Sequence, residues 1–338
     1  MRVKEHPPNV KKISSLERSL IGIEIKKHPE PILSPENFDW ATSIRNPAAF
    51  RYGKRYGLLC TVRHSKDNKS RLHLAWSNDG TEFDLEREPF INTDLDSLLA
   101  VEDARITKID DEYLITFTAF KETDGKTYNT TRIGLIKTKD FKTTYDRSIL
   151  IDKKANNKNG LIFKDEDFYW IIDRPFDNGD GLCSEPLYAQ ISNTKKFPDF
   201  NNFKPFLKPR KNMWDDARVG INIPPIKIIH NSYGKTLLMF YHGANKIDNK
   251  YSMGYIITDE KNPTNILERS KKPLLFPELD WEIGRGKYGA EVPNVVFGCG
   301  AIPIGKNKIR IYYAGADRYT GFADLILKNA KIIDSFSS

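Results

Sequence analysis

The sequence predicts an all-β protein folded as a five-bladed β-propeller, on three observations. Five runs rich in aromatic and β-branched residues recur at 56–63, 113–120, 168–174, 237–242 and 309–315. Such residues favour the pleated, half-buried surface of a sheet. Their starts repeat at intervals of roughly 55 to 72 residues, the length of a several-stranded unit. No long amphipathic helix separates them. A large β-sandwich would also be all-β, but nothing in that fold calls for so regular a period.

Each run has strand-like neighbours. After a polar hairpin come 71–76, 132–136, 187–191, 252–257 and 321–326, and before each run lie 48–50, 105–107, 160–163, 226–229 and 294–297. Residues 1–44 are rich in proline and lysine, with one clear strand at 21–25, and read as an N-terminal strap. Residues 45–338 then form the propeller, a catalytic domain whose innermost strands bring distant residues to one central channel.

Composition narrows the function classes. The chain has 338 residues, of which 39% are hydrophobic, and no run approaches the length of a membrane span. The N-terminal stretch lacks the apolar segment of a secretory signal. Cys60, Cys183 and Cys299 match no metal or redox spacing, and Cys60 and Cys299 lie in apolar runs as buried thiols would. The expected setting is the cytoplasm. A formal net charge of +8 raises the question of nucleic acid, but the basic residues are scattered and no nucleic-acid module is present. A concave site for an anionic substrate is compatible with that charge. Asp215-Asp216, Asp177 and Asp180 have no metal-ligand spacing, so neither a metal nor an organic cofactor is expected.

Short polar motifs sit at corresponding places along the repeats. They are Arg45-Asn46-Pro47-Ala48, Glu102-Asp103-Ala104-Arg105, Asn157-Lys158-Asn159-Gly160, Asp173-Arg174-Pro175, Ala217-Arg218-Val219-Gly220, Tyr241-His242-Gly243 and Gly315-Ala316-Asp317. Alternation along a strand should point Glu102 and Asp103 to opposite faces, one into the enclosed site and one bracing it. Any one motif alone suits a surface ion pair, and His242 alone would suit a satisfied core histidine. Trp214 and Trp281 could stack on sugar faces, although aromatic residues more often fill cores.

Taken in order from about Asn46 to Asp317, this set resembles glycoside hydrolase family 130, the β-mannoside phosphorylases and related hydrolases. The resemblance implies a five-bladed propeller, independently of the periodicity. It implies Asp103 as the catalytic acid that protonates the departing glycosidic oxygen, through a sugar hydroxyl. It implies Lys158, Asn159, Arg174, Arg218 and His242 as phosphate-binding residues, with His242 able to carry charge. It implies Asn46, Arg63 and Asp317 as holders of the mannosyl unit, with Glu102 beside them. The expected reaction is inverting phosphorolysis of a β-mannoside to α-mannose 1-phosphate, with inorganic phosphate as co-substrate. The expected partners are a β-mannoside oligosaccharide and phosphate, without nucleic acid or membrane, and a homo-oligomer stays open.

The chemistry of those residue types agrees. A glycosidase using water needs an acid and a second carboxylate to activate that water. A phosphorylase needs the acid and a set of converging cations to hold a dianion. The alternatives are a β-mannoside hydrolase with a glutamate such as Glu291 as base, and a non-catalytic sugar-binding propeller. Departures from the family pattern are Ala104 for a common proline, Lys158 for arginine, Arg218 for lysine, and no histidine in the stretch after Arg174-Pro175. Glu102 before the acid leans toward β-1,2 over β-1,4 linkages.

Overall fold

Sequence runs of alternating or wholly apolar residues separated by polar hairpins pair with their nearest neighbours along the chain, because short loops make antiparallel partners of adjacent strands. A computed structural model describes residues 21–93, 98–121, 130–150, 156–176 and 188–333. Cys183, Asp177, Asp180 and the expected strand start at Leu187 lie outside the described residues.

Five antiparallel sheets succeed one another as the blades of a propeller. Blade one runs from inside to outside through Ala41–Tyr52, Arg55–His64, Ser70–Ser77 and Asp84–Leu85. Blade two comprises Leu98–Ile109, Glu112–Lys121, Thr130–Thr138 and Tyr145–Ile149. Blade three comprises Asn156–Lys164, Tyr169–Phe176, Ala189–Thr194 and Lys204–Leu207. In blade four the inner strand is broken into Arg218–Ile221 and Ile226–His230, which both pair with Gly234–Ala244, followed by Tyr251–Asp259 and Ile266–Arg269. Blade five comprises Val296–Gly305, Lys308–Gly315 and Tyr319–Leu327.

The outer strand of blade five comes from the other end of the chain. Ile23–Lys27 pairs antiparallel with Tyr319–Leu327, from Ile23 opposite Leu327 to Lys27 opposite Ala323. The ring is thus closed within one sheet by strands from both ends of the chain. Part of the stretch read as a strap is therefore a blade strand, and the inner strand of blade one begins at Ala41. A further short strand, Ala330–Ile332, adds to blade four beside Ile226–His230.

The core consists of layers between blades. Phe50, Leu59 and Leu72 meet Val101, Ile106 and Ile115 between blades one and two. Ile133 and Leu135 meet Ile162 and Ile171 between two and three. Phe163 and Ile172 meet Val219 and Met239 between three and four. Leu238 and Phe240 meet Ile309 and Tyr313 between four and five. Ile302 and Tyr312 meet Ile44 and Leu58 across the closure. Because each sheet is covered on both faces, its strands read as nearly continuous apolar runs.

Candidate active site

The polar motifs sit within the inner strands because those strands bulge. Register against the second strand slips between Arg45 and Ala48, between Glu102 and Arg105, and between Lys158 and Leu161. At each slip one residue takes a left-handed backbone: Asn46 at φ 51°, Asp103 at 57° and Asn159 at 59°. That conformation costs most L-residues about 1–2 kcal/mol, and Asn and Asp tolerate it best. A bulge re-aims neighbouring side chains. It thereby overturns the strict alternation expected of Glu102 and Asp103, since both line one cavity.

That cavity, about 230 Å³, gathers Arg45 and Asn46 from blade one, Glu102 and Asp103 from two, and Lys158, Asn159 and Arg174 from three. Tyr251, Phe297 and Asp317 complete it from blades four and five. The two neighbouring carboxylates have different surroundings. Asp103 accepts a hydrogen bond from Asn46 Nδ2 at 2.6 Å, and its backbone N–H donates to Thr61 Oγ1 at 3.0 Å. Arg105, 1% exposed, donates from Nη1 to the Asp103 carbonyl and so holds the bulge from behind. Glu102 Oε1 instead accepts from Arg45 Nη2 at 2.8 Å and Ser70 Oγ at 2.7 Å.

Arg45 organises an acidic wall. It pairs with Glu102 at 2.8 Å, Asp317 at 3.3 Å and Glu291 at 3.5 Å. Burial alone would lower its pKa, but Asp317, Glu102 and Glu291 together hold it above the ordinary arginine value. Burial would likewise raise Glu102; Arg45 and Lys158, helped by the Ser70 hydroxyl, outweigh that and hold it low. Asp317 goes the other way. Removal from water pushes its carboxyl up to about 7, with Arg45 opposing and Asp103, Glu102 and Glu291 adding to the rise.

The opposite wall is basic. Lys158 and Arg174 line it, Arg218 is not part of the cavity lining and reaches it only through Tyr251, and none of the three has a carboxylate at ion-pairing distance among the described residues. Lys158 Nζ lies 4.8 Å from the centre of the Phe120 ring. Arg218 Nη1 donates to the Tyr251 hydroxyl at 2.9 Å. Arg174 is 8% exposed, and among the described residues its Nε has no hydrogen-bond partner, nor do Arg105 Nε and Nη2 or Asn159 Oδ1. Burial, with Arg218 and Arg105 near it, lowers the pKa of Arg174. Buried guanidinium donors without partners are costly unless something anionic occupies them.

The structure changes the expectation for His242. It is fully buried, behind Arg174 rather than on the cavity surface, and its Nε2 lies 3.0 Å from Arg174 Nη1. Burial, then Arg174, Arg105 and Arg218, hold its pKa well below the usual histidine range, so the charge allowed to it from the sequence is absent. Arg63 is not among the residues lining the cavity; it is 32% exposed and lies 3.5 Å from Glu291. The remaining expected residues, Asn46, Glu102, Asp103, Lys158, Asn159, Arg174 and Asp317, meet in the one cavity.

Trp281 does not stack on a ligand. It is 1% exposed and packs on Tyr313 in the core. Trp214 stacks on Tyr241, away from the cavity. Asp215, also fully buried, answers Arg210 at 2.9 Å and Arg269 at 2.5 Å. Among the described residues no three His, Cys, Asp or Glu side chains cluster as metal ligands, and no helix is long and apolar enough to cross a membrane.

Arg45, Arg105 and Tyr251 were missed as site residues in the sequence. A signal for the first was present: a charged residue followed by Asn or Asp recurs as Arg45-Asn46, Glu102-Asp103 and Lys158-Asn159, once in each of the first three blades. Tyr251 opens an ordinary strand and has no such mark.

The fold class is that of five-bladed propellers found among glycoside-processing enzymes. The crystal structure of a β-1,2-mannobiose phosphorylase from Listeria innocua, in complex with β-1,2-mannobiose, superposes with a TM-score of 0.76 at 24% identity, over 89% of this chain and 96% of that one. Residues 42–336 match the glycoside hydrolase family 130 profile, described as beta-1,4-mannooligosaccharide phosphorylase. A 1,2-β-oligomannan phosphorylase from Thermoanaerobacter sp. (strain X514) is 31% identical over 313 residues, 89% of this chain and 97% of that protein. A β-1,2-mannobiose phosphorylase from the same organism is 29% identical over 309 residues, 87% of this chain and 94% of that one. The chain belongs to glycoside hydrolase family 130.

Proposed function

We propose that the protein is an inverting β-mannoside phosphorylase. The observation that carries the reading is Asp103 in one cavity with Lys158 and Arg174, the latter buried with an Nε that has no hydrogen-bond partner among the described residues. Inorganic phosphate, held by Lys158, Asn159 and Arg174, attacks the anomeric carbon from the face opposite the leaving group. The bond from that carbon to the glycosidic oxygen breaks as the bond to a phosphate oxygen forms, which inverts the configuration. Asp103 supplies the proton to the departing oxygen, by way of a sugar hydroxyl, and recovers one from the product phosphate or solvent. The products are α-mannose 1-phosphate and a shortened acceptor. Asn46, Arg63, Glu102 and Asp317 are the hydroxyl-binding side of the site.

A hydrolase would need a second carboxylate free to activate water. Glu291, the glutamate considered for that task, is engaged by both Arg45 and Arg63. The β-1,2 linkage is favoured by the names of the two full-length relatives, whereas the family description names β-1,4. Incubation with β-1,2- and β-1,4-mannobiose, with and without phosphate, tests reaction and linkage together. Mannose 1-phosphate formed only with phosphate, and faster from the β-1,2 substrate, is expected. Free mannose released regardless of phosphate would overturn the reading.

A further inference from the structure

The break in the inner strand of blade four falls at Asn222-Ile223-Pro224-Pro225, between Arg218–Ile221 and Ile226–His230. Proline has no N–H for the ladder, so a paired strand cannot run through two of them. Asn222 is fully buried at this break, its backbone N–H bonded to the Phe240 carbonyl at 3.0 Å. Its side-chain Oδ1 contacts His242 Nδ1, and His242 Nε2 contacts Arg174 Nη1 at 3.0 Å. Gly220 makes room for the ring, since a Cβ there would lie 2.5 Å from His242 Cε1.

The protons on this chain of three follow from the donor inventory. A guanidinium only donates, so Nε2 must present its lone pair to Arg174. The neutral ring then carries its proton on Nδ1, and only an acceptor can face it. Asn222 Oδ1 is that acceptor. We infer that Asn222 is a positioning residue, which fixes the Nδ1–H tautomer of His242 so that the imidazole accepts from Arg174 and holds its guanidinium toward the phosphate. An amide suits the post better than a carboxylate, which would favour an imidazolium unable to accept. This inference rests on the phosphorylase reading for its kinetic consequence, but not for its geometry.

The charged and titratable groups facing the imidazole are Arg174 from blade three, Arg105 from blade two, and Arg218 and Tyr251 from blade four; the blade-five neighbour is the uncharged Phe297 ring, 4.8 Å away. The groups exerting charge on the ring are all cationic, and all resist its protonation. Without Asn222 the buried Nδ1–H would have no acceptor, and the Nδ1–H form would lose its advantage over rings turned away from Arg174 or protonated on Nε2.

The test is nitrogen NMR of histidine-labelled protein, with the His242 signal assigned by its loss in His242→Gln. The wild type should show a neutral Nδ1–H tautomer that does not protonate at about pH 6.5, where a free histidine does. Asn222→Leu, similar in size without an acceptor, should replace the single Nδ1–H signal by a mixture that includes Nε2–H, whereas Asn222→Asp should keep Nδ1 protonated and ease protonation of the whole ring. In kinetics, Asn222→Leu should raise the KM for phosphate about tenfold, the order of one lost charge-assisted hydrogen bond, with the KM for mannoside unchanged. An Nε2–H tautomer in the wild type, an unmoved tautomer in Asn222→Leu, or both KM values rising together would overturn the inference. If Asn222→Leu does not fold, the wild-type tautomer still decides. Failure of the wild type to form mannose 1-phosphate would instead overturn the phosphorylase reading and leave the NMR outcome standing.

Discussion

The two walls of the cavity are built from the same bulged strands, yet they balance charge in opposite ways. On the acidic side Glu102, Glu291 and Asp317 surround Arg45, and each has an ion-pair partner. On the basic side Lys158 and Arg174 line the cavity without a carboxylate partner among the described residues, and a neutral His242 supports Arg174 from behind. A wall whose charges are already paired presents fixed acceptors and donors to uncharged hydroxyls. A wall whose buried guanidinium keeps a donor unpaired awaits a charge from outside. On the phosphorylase reading proposed above, sugar binds on one side and phosphate on the other, with Asp103 between them.

The largest effect expected is at that boundary. Asp103→Asn should lower turnover with phosphate by about 10²- to 10⁴-fold, the range of a lost general acid, measured on a natural mannoside with a poor leaving group. Near-normal turnover would remove Asp103 from its role.

Next come the walls themselves. Arg174→Met should raise the KM for phosphate about 10- to 100-fold, as loss of hydrogen bonds to a charged group does, with little change in the KM for mannoside. Glu102→Gln should reverse that pattern, raising the KM for mannoside about tenfold through the disturbed Arg45 contact. If either variant moved both constants equally, the division between walls would be wrong.

A further effect is on stability rather than on turnover. The folded-state pKa of Asp317 lies at about 7, above the ordinary carboxylate value near 3.9 of the unfolded chain. Between those two values the folded protein binds more protons than the unfolded one, so this group lowers stability as pH rises. Asp317→Asn should therefore gain stability relative to wild type from about pH 4 to 7 and level off above, as read by denaturant unfolding across that range. A difference that does not change with pH would contradict the raised carboxyl.

Much of this was legible in the sequence, and the misses share one physical cause. The blades were readable because every sheet is buried on both faces, which turns strands such as Gly234–Ala244 into apolar runs at a steady interval. Their inner strands were read too short at Ala48, Arg105 and Gly160, because the polar motifs before them do not look like strands. Those motifs are the bulges, with Asn46, Asp103 and Asn159 in the left-handed region. The same feature hid the shared orientation of Glu102 and Asp103, since alternation holds only where register is unbroken. Individual residues such as Asp103 and Arg174 were found through a family pattern. The pairing that divides the walls was not, because Arg45 and Asp317 lie at opposite ends of the chain and no spacing joins them.

Phosphate binding to the sugar-free protein, measured by titration calorimetry, tests the division of the cavity most directly. One phosphate should bind the wild type, bind Glu102→Gln with similar affinity, and bind Arg174→Met at least tenfold more weakly, the order expected for a charged hydrogen bond. Phosphate that binds Arg174→Met as tightly as wild type, or that is lost in Glu102→Gln alone, would contradict it.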